Sequence, residues 1–154
     1  MTKGIGAMLG RSVIFGLFVG LFVGLLMGCA AGCATGCTSQ TTLSGDQAFA
    51  TAYEEHQSGI QVSGAGTVVR VLADDDQGSR HQRFIVALAS GQTLLISHNI
   101  EVAPRVPGLE EGDRVEFSGV YEWNSEGGLV HWTHHDPEGL HQPGWIKHRG
   151  TVYE

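Results

Sequence analysis

Five of the eight histidines in this chain of 154 residues fall in its last 24 positions. The densest stretch is His131-Trp132-Thr133-His134-His135-Asp136-Pro137-Glu138-Gly139-Leu140-His141. Neutral imidazole is the commonest metal ligand, and carboxylates complete or orient such ligand sets. His131, His134, His135 and His141 are therefore candidate ligands for a divalent metal such as zinc, which binds through His, Asp and Glu without any cysteine. A metal held there would activate water, with His134, His135 and Asp136 as the catalytic candidates of a phosphodiesterase or nuclease. Spacing constrains the idea. On one strand His131 and His135 would share a face yet stand roughly 13 Å apart, so a shared ion requires the chain to leave the strand near Thr133. Asp136-Pro137 favours such a turn. The same side chains have two other readings, a hydrogen-bonded loop that closes the fold and an acid sensor.

Around this stretch stand further candidates for holding a ligand. Trp132 and Trp145 are flanked by His and by Pro-Gly and offer faces for stacking bases or sugars. Phe117, Tyr121 and Trp123 alternate along one face and are expected in the core. His98-Asn99 closes a strand and is expected at the same rim. Arg83, in the basic run Arg80-His81-Gln82-Arg83, is placed either to hold a phosphate or carboxylate or to pair with Asp74-Asp75-Asp76; the pairing is the stronger expectation. The Asp run lacks the spacing and distal Glu of a calcium loop. There is no HExxH, nucleophile elbow or phosphate-binding glycine loop.

The elements that must carry these residues change period at Gly59. Before it, Asp46 to Gln57 reads as a short helix, with Ser44 and Gln47 as a capping box and Phe49 and Tyr53 on one face. After it the pattern alternates as strands do. Ile60–Leu72 is a long first strand, with a bulge expected at Gly64 or Gly66. Gln82–Ala89 and Thr93–Ile96 form a hairpin. A Pro-interrupted link, 103–109, leads to Val115–Trp123, and Gly128–His134 is the fifth strand. A long coiled first strand, five strands in all and a link where a helix often sits give the order of an OB-fold. The expected fold is all-β: a small five-stranded OB-like barrel over 46–154, preceded by a short helix and an N-terminal signal or anchor segment.

That segment is an address. Lys3 and Arg11 precede a fifteen-residue apolar run, Val13 to Met27, and then Gly28-Cys29, the order of a secretory signal. Leu26-Met27-Gly28-Cys29 looks like a bacterial lipobox, which makes 1–28 a signal peptide, Cys29 the lipidated residue and 29–45 a tether. Ala30, rather than Asp, fits onward sorting to the outer membrane, facing the periplasm. The alternative is an uncleaved inner-membrane anchor: no charge occurs between Ser12 and Gly45, long enough to span a bilayer, and Gly16, Gly20, Gly24 and Gly28 form a small-residue stripe. All three cysteines precede residue 38, so the body of the protein has no internal disulfide and no thiolate ligand. That body, after Gly45, carries 7 basic and 16 acidic side chains, which disfavours long nucleic acid as a partner.

The strings His81-Gln82-Arg83-Phe84-Ile85, His98-Asn99-Ile100, Gly112-Asp113, Tyr121-Glu122-Trp123-Asn124, Gly127-Gly128, His131-Trp132-Thr133-His134-His135-Asp136-Pro137 and Gly144-Trp145-Ile146 resemble the bacterial domain of unknown function 3465 family, from about Gln47 to the C-terminus. The resemblance implies a small exported bacterial protein and fixes no activity. The expectation that results is a lipid-anchored envelope protein whose barrel binds an oligosaccharide, an oligonucleotide or an envelope partner through Arg83, His98, Asn99, Trp132 and Trp145. The metal-dependent hydrolase and the structural or acid-sensing domain are its alternatives. Metabolic labelling with palmitate is expected to vanish in Cys29→Ala; labelling that persists would move the attachment to another residue.

Overall fold

A computed structural model describes residues 43–154. The signal or anchor segment, Cys29 and the tether as far as Thr42 lie outside the described residues. The elements are β1 (Leu43–Ser44), α1 (Asp46–Glu54), β2 (Ile60–Val71), β3 (His81–Ala87), β4 (Thr93–Asn99), β5 (Arg114–Glu122), β6 (Leu129–His131), β7 (Trp145–His148) and β8 (Thr151–Tyr153).

β2 is long enough to serve two neighbours. Residues 60–67 pair antiparallel with β5, and residues 67–71 pair antiparallel with β3. β3 pairs antiparallel with β4, β4 runs parallel to β6 through Leu95↔Leu129 and Ile96↔Val130, and β6 runs antiparallel to β5. The ring β2-β3-β4-β6-β5 therefore closes on itself as a mixed five-stranded barrel in OB order. Strict alternation follows from closure, because every second side chain must face inward. Phe84 and Val86 of β3, Leu94 and Ile96 of β4, and Val115, Phe117 and Tyr121 of β5 are all buried. The kink in β2 falls between Val68 and Arg70 and not at a glycine. Gly64 instead leaves the space that the ring of Phe49 fills.

α1 covers the barrel with the face expected of it. Phe49 is fully buried, its ring centroid 5.9 Å from that of Phe117 and 6.3 Å from that of Tyr121. Tyr53 stacks on Trp123, whose indole N–H donates to the Tyr53 carbonyl at 3.1 Å. The capping box does not form. Leu43 and Ser44 are extended beside Val62 and Ser63, and Gly45 is the N-cap, with no side-chain cap bond. The helix also ends at Glu54, short of Gln57. In the 103–109 link there is no helix; Ala103, Val106 and Leu109 turn inward directly.

Two strands were not legible beforehand. β7 pairs antiparallel with β5 through Val115↔His148 to Ser118↔Trp145, and β8 pairs with β7. β6 pairs with the rest of the same β5 edge, Val120 to Glu122. The chain must therefore leave that edge after His131 and return to it by Trp145. The fifth strand ends at His131 rather than His134 for this reason. Trp132 takes a φ of 50°, uncommon for a bulky residue, and Thr133 turns inward, fully buried. Gly144 sits where the two limbs of the excursion meet β5: a Cβ there would overlap the carbonyl oxygens of Trp132 and Ser118. Because those are backbone atoms, Gly144→Ala is expected to destabilise the protein by about 2–3 kcal/mol, read as a lower urea midpoint of the full chain in detergent; an unchanged midpoint would show that the pinch is not tight.

Candidate ligand-binding site

Residues with inward parity and residues with outward parity behave differently here, and histidine occurs in both sets. On β4, His98 continues the inward series of Leu94 and Ile96 and is fully buried. Its Nε2 lies 3.0 Å from the Pro104 carbonyl oxygen, and its Nδ1 lies 2.8 Å from Thr133 Oγ1. A carbonyl only accepts, so Nε2 carries the proton and Nδ1 accepts from the threonine hydroxyl. Gln82 has the matching parity on β3. Its amide donates to the Val106 carbonyl at 3.0 Å and accepts the Val106 N–H at 2.9 Å. These two polar side chains satisfy the backbone of the 103–109 link and join it to the excursion through Thr133. His98 is thus an interior strut and not a rim residue. Asn99 shapes the turn after β4 by accepting the Glu101 N–H at 3.0 Å.

Arg83 is also committed. It donates to the Ala73 carbonyl at 3.2 Å and reaches Asp75 Oδ2 at 3.4 Å. Arg80 pairs with Asp74 and Asp76 at 3.0 and 3.1 Å, and Arg105 joins Asp74 from the link. The Arg105 hydrogen bond, with the charges of Arg105 and Arg80, holds the Asp74 carboxyl below its ordinary range despite burial. Trp145 lies half-buried on β7 and lines a surface groove with Glu116 and Lys147.

The other late side chains collect on the outer wall. Gln61 of β2, Val120 and Glu122 of β5 and His131 of β6 have outward parity, and the register sets Gln61 beside Val120 and Val120 beside His131. The excursion folds over this wall. The result is a cleft of about 180 Å³ lined by Gln61, Glu122, His131, Trp132, Leu140 and His141, among others, none of them Lys or Arg. Trp132 is 42% exposed. Its ring centroid lies 4.5 Å from that of His141 and 5.3 Å from that of His131, and His134 meets His141 edge-on at 4.9 Å. Sequence reasoning singled out His131, Trp132, His134 and His141; it missed Gln61 and Glu122. The signal for Gln61 was available in its parity, opposite to that of the core residue Val62.

The turn inside the excursion is self-contained. Asp136 accepts the N–H groups of Glu138 at 2.9 Å and His141 at 2.7 Å. Burial pushes its carboxyl up, but these N–H groups, the nearby His141 and Leu140 outweigh that and hold it low. His134 Nδ1 donates to the His135 carbonyl and His141 Nδ1 to the Gln142 carbonyl. His135 is exposed. Among the described residues no three His, Cys, Asp or Glu side chains are grouped to hold a metal ion. Of the four proposed zinc ligands, His131 ends β6, Trp132 stands between it and His141, His134 meets His141 edge-on, and His135 is exposed.

Among the described residues, Gln61 Oε1 and His131 Nε2 are buried in the cleft walls without a hydrogen-bond partner. The Gln61 amide orientation is fixed by its neighbours. Its Nε2 donates to the Pro143 carbonyl at 3.4 Å and to Ser118 Oγ at 3.2 Å, and that hydroxyl has already given its proton to the Val62 carbonyl. Oε1 is left as an acceptor without a donor. His131 Nε2 lies 3.6 Å from Glu122 Oε1, within ion-pair range but beyond a hydrogen bond. Burial lowers the imidazole's pKa, and Glu122 only partly opposes this. A buried acceptor left unpaired, as Gln61 Oε1 is, costs about 1–3 kcal/mol.

Residues 33–154, which contain the whole barrel and the excursion, match the family described as Protein of unknown function (DUF3465). The chain belongs to that family. No curated protein matches it. The Trp-Thr-His-His-Asp-Pro string of this DUF3465 domain is the point at which its chain leaves the barrel.

Burial depresses the pKa of His98, with the neighbouring His134 and His81 adding to the effect, so the neutral ring is the native form. Above about pH 6.5, the unfolded histidine value, both states are neutral and the native network is fully stable. As pH falls below that value the unfolded chain takes up the proton first, and stability is lost until the depressed native value is reached. His131 acts in the same direction. The urea midpoint of the full chain in detergent is expected to fall between pH 7 and pH 5, with a smaller fall in His98→Gln; an equal fall in the variant would place the acid sensitivity elsewhere.

Proposed function

We propose that this is an exported, lipid-anchored protein of the bacterial envelope whose OB-like barrel serves as a binding module, with the cleft between the β2-β5-β6 wall and the 132–144 excursion as its site. The observation that carries this reading is the pairing of unsatisfied buried groups with an exposed indole. Gln61 Oε1 and His131 Nε2 line the same cleft from which Trp132 projects, and Trp132 is held there at a positive φ. Backbone strain of this kind persists where the surroundings over-determine it and clusters at binding sites.

The placement of the binding site differs from the expectation drawn from sequence. The supporting residues are Gln61, Glu122, His131, Trp132 and His141, on an outer wall, whereas Arg83, His98 and Asn99 serve other contacts and Trp145 does not line the cleft. No observation favours the hydrolase reading over this one. Both oxygens of Asp136 hold a turn, and His134 is bonded to the backbone of the next residue. The membrane attachment rests on the Leu26-Met27-Gly28-Cys29 string.

Native mass spectrometry of the full chain, extracted from its own membrane in mild detergent, tests the reading. The wild-type protein is expected to carry a non-covalent adduct that is lost in Trp132→Ala and kept in Trp145→Ala. An adduct-free wild type, or one that turns over a generic phosphodiester, would overturn it.

A further inference from the structure

The cleft's polar groups are selective about what they accept, and their pattern points to one chemical class. Gln61 Oε1 needs a donor. Glu122 supplies acceptors only, at neutral pH. Beside the Glu122 carboxylate the His131 tautomer with a proton on Nε2 is favoured, because Nε2 faces Oε1 at 3.6 Å; that N–H needs an acceptor closer than the carboxylate stands. The wall thus presents, side by side, an N–H seeking an acceptor and two kinds of oxygen seeking donors.

An anionic ligand fails this test: among the described residues no Lys or Arg lines the cleft, and Glu122 and Gln61 Oε1 would both repel it. A cationic amine satisfies the two oxygens but has no lone pair for His131. A hydroxyl group accepts one hydrogen bond and donates another, so it can bridge an imidazole N–H and a carboxylate. A second hydroxyl on the same ligand would donate to Gln61 Oε1. Trp132 offers an apolar face of the kind that packs on the C–H side of a ring, backed by His141. The volume, about 180 Å³, is well below the roughly 300–1,000 Å³ of drug-sized sites and suits one ring. Resting on the binding reading above, we infer that the cleft takes an uncharged, polyhydroxylated ring: one hexopyranose unit of a neutral glycan, stacked on Trp132, with hydroxyls between His131 and Glu122 and on Gln61.

Both orphan atoms are screened from solvent, so the turn at 136–142 must move outward for the ring to reach them.

The experiment titrates the full chain in detergent with glucose, N-acetylglucosamine and its disaccharide, and separately with spermidine and with a short single-stranded thymidine oligomer. The indole N–H resonances and tryptophan fluorescence are the readouts. A saturable change in the Trp132 resonance is expected with at least one sugar. Trp132→Ala should weaken binding about tenfold or more, Glu122→Gln about threefold to tenfold, and Trp145→Ala should leave it unchanged. Trp132→Phe keeps a stacking face and should retain part of the affinity, which separates lost stacking from lost folding. Binding of spermidine or of the oligomer without any sugar would overturn the ligand class and leave the binding site standing. No response to sugars together with an adduct-free protein would overturn both. If Gln61 and His131 merely hold buried water, sugars will leave the Trp132 resonance unmoved, and the proposal falls.

Discussion

One edge of β5 has to serve two strands. Val120 to Glu122 pair with β6, and Val115 to Ser118 pair with β7. Backbone N–H and C=O groups along a buried edge must be paired, so neither strand can extend into the other's share. The chain between them is forced to leave and rejoin the sheet within about one residue's width. Trp132 adopts its left-handed φ at the exit, and Gly144 stands where only a residue without Cβ fits. The excursion that results cannot lie in the sheet plane. It folds over the outer wall and creates the cleft.

That arrangement also divides the polar side chains by parity. His98 and Gln82 face the barrel interior and are fully hydrogen-bonded to Pro104, Thr133 and Val106. They close the barrel end where no helix forms. Asp113 plays a similar part near the other strand ends. It accepts the Glu110 N–H, His148 and Arg149, which together hold its carboxyl low against the opposing effect of burial. Gln61 and His131 face outward beneath the excursion and are left with unmet hydrogen-bonding capacity. The contrast matters because burial without a partner is costly. The interior has been satisfied by the protein itself, whereas the cleft wall has not.

Local chemistry made much of the fold legible. Alternation placed Phe84, Val86, Phe117 and Tyr121 in the core, and all four are buried. The five-strand order followed from strand count and length. Element ends were less legible. The Ser44 capping box was displaced because β1 pairs with β2 and so carries the chain past Ser44 in an extended form. β7 and β8 went unread, because four-residue and three-residue strands leave too short a pattern to distinguish from loop.

The sequence by itself determined the class of fold and the identity of the inward-facing residues, because side-chain period is a local property. It also marked 131–141 as unusual, since His, Trp and Asp-Pro cannot continue a barrel strand comfortably. Only the tertiary structure decided which histidines are struts and which line a cleft. His98 and His131 are alike in the sequence, each standing at or next to the end of a strand. What separates them is which side of the wall each faces, and whether Thr133 or Trp132 and Glu122 meet the ring. Those facts depend on strand pairings between residues far apart in the chain.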